Sequence, residues 1–140
     1  MQRNKKCEDG YTLMELLVVL AILGLLAAFA TPIVLHYLAS AKVSVAKTEL
    51  ANIEAGLDLF KYDEDRYPTT DEGLGALLNA PPGIENWNGP YIKKAAGIKD
   101  PWGHPYHYRC PGEHGAYDLY SDGPNAETGH GAEKPAIANW

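Results

Sequence analysis

One carboxylate stands where a carboxylate is costly. In Gly10-Tyr11-Thr12-Leu13-Met14-Glu15 the acid opens a run in which no Asp, Glu, Lys or Arg appears from Leu16 to Ala41, and Leu16–Ala30 is Leu, Val, Ile and Ala with one Gly and one Phe. An unpaired charge in an apolar layer costs several kcal/mol, so Glu15 needs a partner or a neutralising proton. Gly10 has no side chain and sits between a charged leader and an apolar segment. Other chemistry-bearing residues make weaker patterns. His104, His107 and Cys110 are close in sequence, but Pro105 interrupts them and no H-E-x-x-H pattern is present, which favours strand and turn positions over a metal centre. Ser121 lacks a nucleophile elbow, and no phosphate-binding glycine loop occurs. Trp87, Trp102, Trp140 and the nine tyrosines suit a small aromatic core better than a carbohydrate platform. An enzyme is not expected.

The elements that must hold Glu15 follow from periodicity. The apolar run is long enough to cross a bilayer, which takes about 20 residues as a helix. Arg3, Lys5 and Lys6 before it predict a cytoplasmic amino terminus and an exported carboxyl-terminal domain. Beyond the span, Ala39, Val43, Ala46, Leu50, Ile53, Leu57 and Phe60 alternate in steps of four and three, one stripe along a helix. Lys47, Glu49, Asn52 and Asp58 fill its other faces. A single helix is expected from Tyr11 to about Asp63, roughly 80 Å at 1.5 Å per residue. Pro32 should kink or loosen it, because proline removes a backbone donor. Thr69-Thr70-Asp71-Glu72 has the spacing of a capping box and opens a short helix through Leu78, which Pro81-Pro82-Gly83 ends. Asp100-Pro101-Trp102-Gly103 signals a turn, Tyr106–Arg109 and Tyr117–Tyr120 alternate as strands of a small antiparallel sheet, and Asp122–Pro135 reads as loop. The fold class is α+β: a leader over residues 1–10, the membrane half of the helix over 11–41, and a small domain over 42–140.

Composition narrows the function. Twelve Lys and Arg against 18 Asp and Glu leave a formal charge of -6, which repels phosphates and argues against nucleic acid as a partner. A secretory signal peptide is another reading of the amino terminus, since Ala28-Phe29-Ala30 forms an A-x-A pattern before Thr31, and a plain membrane anchor is a third. Glu15 argues against both.

Gly10 to Glu15 resembles the class III signal of type IV pilins and pseudopilins, in which a peptidase cuts after the glycine and methylates the new amino terminus. Here the cut falls between Gly10 and Tyr11, Tyr11 becomes the N-methylated residue in place of the usual Phe, and Glu15 is fifth in the mature chain. Arg66-Tyr67-Pro68-Thr69-Thr70-Asp71-Glu72-Gly73-Leu74, Gly89-Pro90-Tyr91-Ile92-Lys93-Lys94, Asp100–Tyr106, Tyr117–Pro124 and the terminal Ile137-Ala138-Asn139-Trp140 resemble blocks of the G-subunit family of type II secretion pseudopilins. That resemblance implies a periplasmic filament that helps export folded proteins through the outer membrane. It also implies a single pass through a bacterial inner membrane, with the small domain in the periplasm. The partners implied are copies of the chain itself, minor pseudopilins, a prepilin peptidase and methyltransferase, an inner-membrane assembly platform and the lipid bilayer. Glu15 would pair with the Tyr11 amine of a neighbouring subunit, and the helix would loosen between Gly24 and Pro32 when subunits pack.

The resemblance also implies a calcium site in the carboxyl-terminal loop, held by backbone carbonyls near Ser121–Asn125 and by carboxylates, with Ser121, Asp122, Asn125, Glu127 and Glu133 as the candidate residues. Here the chain departs from the family. Asn125 stands where the family has aspartate, and later aspartates align with Pro135 and Ala136. Calcium takes six to eight oxygens and gains affinity from ligand charge, so these losses weaken the inherited site, with Asp122, Glu127 and Glu133 as the charges left to it. A solvated acidic loop is the other reading. The alternative function is a type IV pilin or minor pseudopilin with an adhesive or DNA-uptake role. Most type IV pilins carry a carboxyl-terminal disulfide; removal of residues 1–10 takes Cys7 with it and leaves Cys110 alone.

Overall fold

The computed structural model describes residues 10–93, 95–128 and 137–140. Contacts divide the chain into Met1–Ala39 and Ser40–Trp140, and helix α1, Leu13–Glu64, contributes residues to both.

In the first unit Thr12 caps α1. Its hydroxyl accepts a hydrogen bond from the Glu15 backbone N–H at 3.2 Å, satisfying a donor that the first turn leaves without a partner. The helix runs without interruption through Gly24 and Pro32. One missing donor in 52 residues does not break it, and the Thr31 hydroxyl donates to the carbonyl of Ala27 at 2.7 Å one turn back. Every described residue from Gly10 to Ala41 is exposed. A helix this apolar and this bare meets the length and composition of a membrane span.

The second unit closes around the continuation of α1. Ala46, Leu50, Ile53, Leu57 and Phe60 are buried, as the periodicity predicts, while Ala39 and Val43 at the start of the stripe stay exposed. Gly56 lies on the same face because a Cβ there would stand 2.9 Å from Ile92 Cγ2. Asp65, at φ 54°, turns the chain out of the helix.

The capping box forms: Glu72 N–H donates to Thr69 Oγ1 at 3.2 Å and Thr69 N–H to Glu72 Oε2 at 2.8 Å. The helix expected after it does not extend through Leu78. Gly73 takes φ 59°, outside helical space, and the chain resumes as a 3₁₀ turn over Leu74–Leu77 that buries Leu74, Ala76 and Leu77.

Three antiparallel strands complete the unit: β1 His107–Arg109, β2 Asp118–Ser121 and β3 Ile137–Ala138, in the order β1-β2-β3. His107 lies opposite Tyr120, Arg109 opposite Asp118 and Ser121 opposite Ile137. Tyr106 and Tyr117 precede the strands and are buried, so both strands start one residue later than the tyrosine pattern suggests. Strand β3 was not legible in the pattern, because two residues carry no alternation. A second correction falls in the loop after β2, where Gly123–Thr128 winds as a 3₁₀ turn.

Candidate functional site

Among the described residues, Gly10, Tyr11 and the Glu15 carboxylate have no packing partner in the chain's own fold. A Cβ built on Gly10 touches nothing within 4 Å, and the same holds for Gly24. Tyr11 is 79% exposed. The backbone of Glu15 is used by the Thr12 cap, but its carboxylate has no hydrogen-bond partner among the described residues. The head of α1 thus carries a glycine with open space around it, an exposed aromatic and an acid with no described partner, in front of an exposed apolar stretch.

At the other end, Ser121 is fully buried: its hydroxyl donates to Asp100 Oδ2 at 2.6 Å and accepts from Gly123 N–H at 3.0 Å. Asp122 Oδ2 lies 2.9 Å from His107 Nε2, and since a carboxylate only accepts, the imidazole proton sits on that nitrogen. Glu133 and the side chains of Asn125 and Glu127 lie outside the described residues. Among the described residues no group of three or more His, Cys, Asp or Glu converges to hold a metal. Of the expected calcium set, the structure describes the side chains of Ser121 and Asp122. That part offers one carboxylate, already paired to a histidine, and one hydroxyl committed to Asp100. His104, His107 and Cys110 are not brought together as ligands either. His107 stacks on Tyr120 at 4.7 Å, and the Cys110 N–H donates to Thr70 Oγ1 at 3.0 Å.

Sequence reasoning missed the polar bonds that hold the second unit together. Tyr106 OH donates to Glu49 at 3.0 Å, Tyr67 OH to Asp58 at 3.0 Å and Tyr91 OH to Asp63 at 2.8 Å, tying three carboxylates of α1 to later segments. Burial pushes the Tyr106 phenol far above its usual range, and the Glu49 carboxylate adds to the effect. Arg66 grips Glu72 with both terminal nitrogens, at 2.7 and 2.8 Å, and with the Thr69 N–H holds its carboxyl down at about 2. Burial works against the charge of Asp118, but the N–H groups of Glu113 at 2.8 Å and His114 at 3.1 Å, with the His114 ring, hold it below the usual range. The T-x-x-E spacing signals the Glu72 bond; the tyrosine–acid pairs have no local signal, being 9 to 57 residues apart.

The family described as Type II secretion system (T2SS), protein G matches residues 33–140, and the Prokaryotic N-terminal methylation motif matches residues 5–31. A Type II secretion system core protein G of Pseudomonas aeruginosa is 44% identical over 144 residues, covering 100% of this chain and 99% of the relative. Its counterpart in Escherichia coli K12 is 41% identical over 137 residues, covering 95% and 91%. The crystal structure of the major pseudopilin from the type 2 secretion system of enterohaemorrhagic Escherichia coli is similar, with a TM-score of 0.61 and 33% identity, over 72% of this chain and 88% of that one. With the methylation motif at the head of α1 and a small three-stranded domain behind it, this chain belongs to the type II secretion system protein G family, the family of the major pseudopilin.

Proposed function

We propose that this chain is the major structural subunit of a type II secretion pseudopilus, cut between Gly10 and Tyr11, methylated on Tyr11 and polymerised through α1. The observation that carries the processing step is the methylation motif matched over residues 5–31, in which Gly10 is the glycine before Tyr11. Residues 11–41 are the single pass through the bacterial inner membrane, and residues 42–140 form the periplasmic domain. Its partners are copies of itself, minor pseudopilins and the inner-membrane assembly platform. The role is structural rather than catalytic, and the charge of -6 speaks against nucleic acid.

Intact-mass spectrometry of the membrane-extracted protein tests this directly. The expected mass is that of a methylated chain starting at Tyr11, and Gly10→Val should leave the chain starting at Met1 because the branched side chain crowds the cut. A chain starting at Thr31 would mean an ordinary signal peptide, and an uncut wild-type chain a plain anchor.

A further inference from the structure

Strands β1 and β2 turn one face to the core and the other away from it. Residues directly opposite one another in a sheet share a face, so Tyr108 and Leu119 point together to the core, while His107 with Tyr120 and Arg109 with Asp118 share the outer face. That face, continued by Trp140 two residues past β3, forms a cleft of about 530 Å³. Four rings line it in a row. His107 stacks on Tyr120 with centroids 4.7 Å apart, Tyr120 meets Trp140 edge to face at 5.9 Å, and Trp140 lies parallel to His114 at 4.1 Å. Both ends of the row are held by carboxylates. Asp118 is buried and accepts from the N–H groups of Glu113 at 2.8 Å and His114 at 3.1 Å and from the His114 ring at 3.3 Å, which orients that ring against Trp140. Asp122 does the same for the His107 ring at 2.9 Å. The three tryptophans therefore do not serve one aromatic core, as their number suggests: Trp87 and Trp102 pack against it, whereas Trp140 lies outside it and is 48% exposed.

We propose that this cleft binds a saccharide, a short chain of neutral sugar rings lying along the row from His107 to His114. A sugar ring has two faces of C–H groups and a rim of hydroxyls. The faces cover aromatic rings, and each hydroxyl both donates and accepts. The cleft answers both demands. Arg109 reaches Glu113 through one terminal nitrogen, which leaves the rest of its donor fork to face the cleft. Because Nε2 of His107 donates to Asp122 and Nδ1 of His114 donates to Asp118, the other nitrogen of each neutral ring presents a lone pair. Glu113, Asp118 and Asp122 against Arg109 repel an anionic ligand, and each of these carboxylates is bonded to a donor. The surface thus presents ring faces with donors and acceptors interleaved at their edges, and a neutral polyol matches that balance. Binding here is a property of the single chain and does not depend on polymerisation through α1.

The test is a titration of the full chain, in a zwitterionic detergent that carries no sugar, with cellotetraose and with tetra-N-acetylchitotetraose. Saturation-transfer NMR reads contact between protein and sugar, and calorimetry reads the affinity. At least one of the two should bind with a Kd of about 1 mM or tighter. The preferred one separates a plain glucan from an N-acetylated glycan of the cell-wall type. Trp140→Ala should weaken binding about tenfold or more, because the sugar loses the exposed ring of the row. Tyr120→Leu, which keeps an apolar side chain in β2 and removes the ring, should do the same. Tyr62→Ala removes an exposed ring outside the cleft and should leave the affinity unchanged. If Tyr120→Leu does not fold, Trp140→Ala carries the measurement, since Trp140 is not part of the core, and its thermal midpoint should match that of the wild type. The absence of binding by either sugar at about 20 mM overturns the proposal. So does binding that Trp140→Ala leaves unchanged, or that Tyr62→Ala weakens as much.

Discussion

Glu15 and Glu72 are carboxylates kept for opposite reasons. Glu72 is saturated within its own domain, by Arg66 and by the Thr69 N–H, whereas Glu15 has no described partner and heads the exposed, apolar part of α1. In the proposed filament such an acid would be satisfied by a cation from another chain, and the proposed processing would create one, the methylated Tyr11 amine of a neighbouring subunit. Such a pair sets register, since a wrongly offset subunit strands both charges. Glu15→Ala should therefore insert and be cleaved normally but give few filaments and little secretion, read by sedimentation of sheared pseudopili and by assay of exported protein; normal filament yield would remove Glu15 from assembly. For Glu72 the consequence is stability. Its folded value of about 2 lies below the ordinary 4.5, so its contribution is complete above the ordinary value and is lost as pH falls toward the folded one. Because Arg66 is 42% exposed and solvent screens the pair, Glu72→Gln should cost about 1 kcal/mol at neutral pH. Denaturant titrations should show that gap narrowing between pH 4.5 and 2, and a gap that persists at the lower pH would mean that lost packing rather than charge is responsible.

At the scale of elements, α1 is one helix doing two jobs with two kinds of surface. Its first part is apolar on every side and exposed, and its second part buries a single stripe of Ala46, Leu50, Ile53, Leu57 and Phe60. Between the two the backbone has weak points. Pro32 cannot donate to the Ala28 carbonyl, Gly24 has low helix propensity, and a Cβ built on Gly24 would meet nothing within 4 Å. In the isolated chain the hydrogen-bonded helix persists through both. In a filament, neighbouring subunits can offer the partners that lipid cannot, and the segment from 24 to 32 should then lose regular structure and lengthen. A filament density map is the check: continuous helix through these residues, with the usual 1.5 Å rise, would show that packing leaves α1 intact.

Over the whole molecule, each of the two units is stabilised by a different solvent. Met1–Ala39 presents an apolar helix to lipid, while Ser40–Trp140 encloses an aromatic and aliphatic core reinforced by tyrosine hydroxyls on the carboxylates of α1. Much of this was legible in the residues. The length of the apolar run depends on composition along the chain, and the stripe from Ala46 to Phe60 on a period of 3.6, so local sequence was sufficient for the apolar span and the helix. The capping box was legible too, but Gly73 at φ 59° turned the helix expected behind it into a 3₁₀ turn, because a glycine permits a backbone excursion without announcing one. The sequence by itself determined where the chain enters the membrane, which helix face seeks a core and which acid needs a partner. Only the tertiary structure decided that two residues near the end form β3, and that Ser121 belongs to Asp100 and Asp122 to His107. These contacts join residues 15 to 21 positions apart, and hydrogen bonds at that separation leave no periodicity, only compatible donors and acceptors that many other pairs in the chain could have supplied.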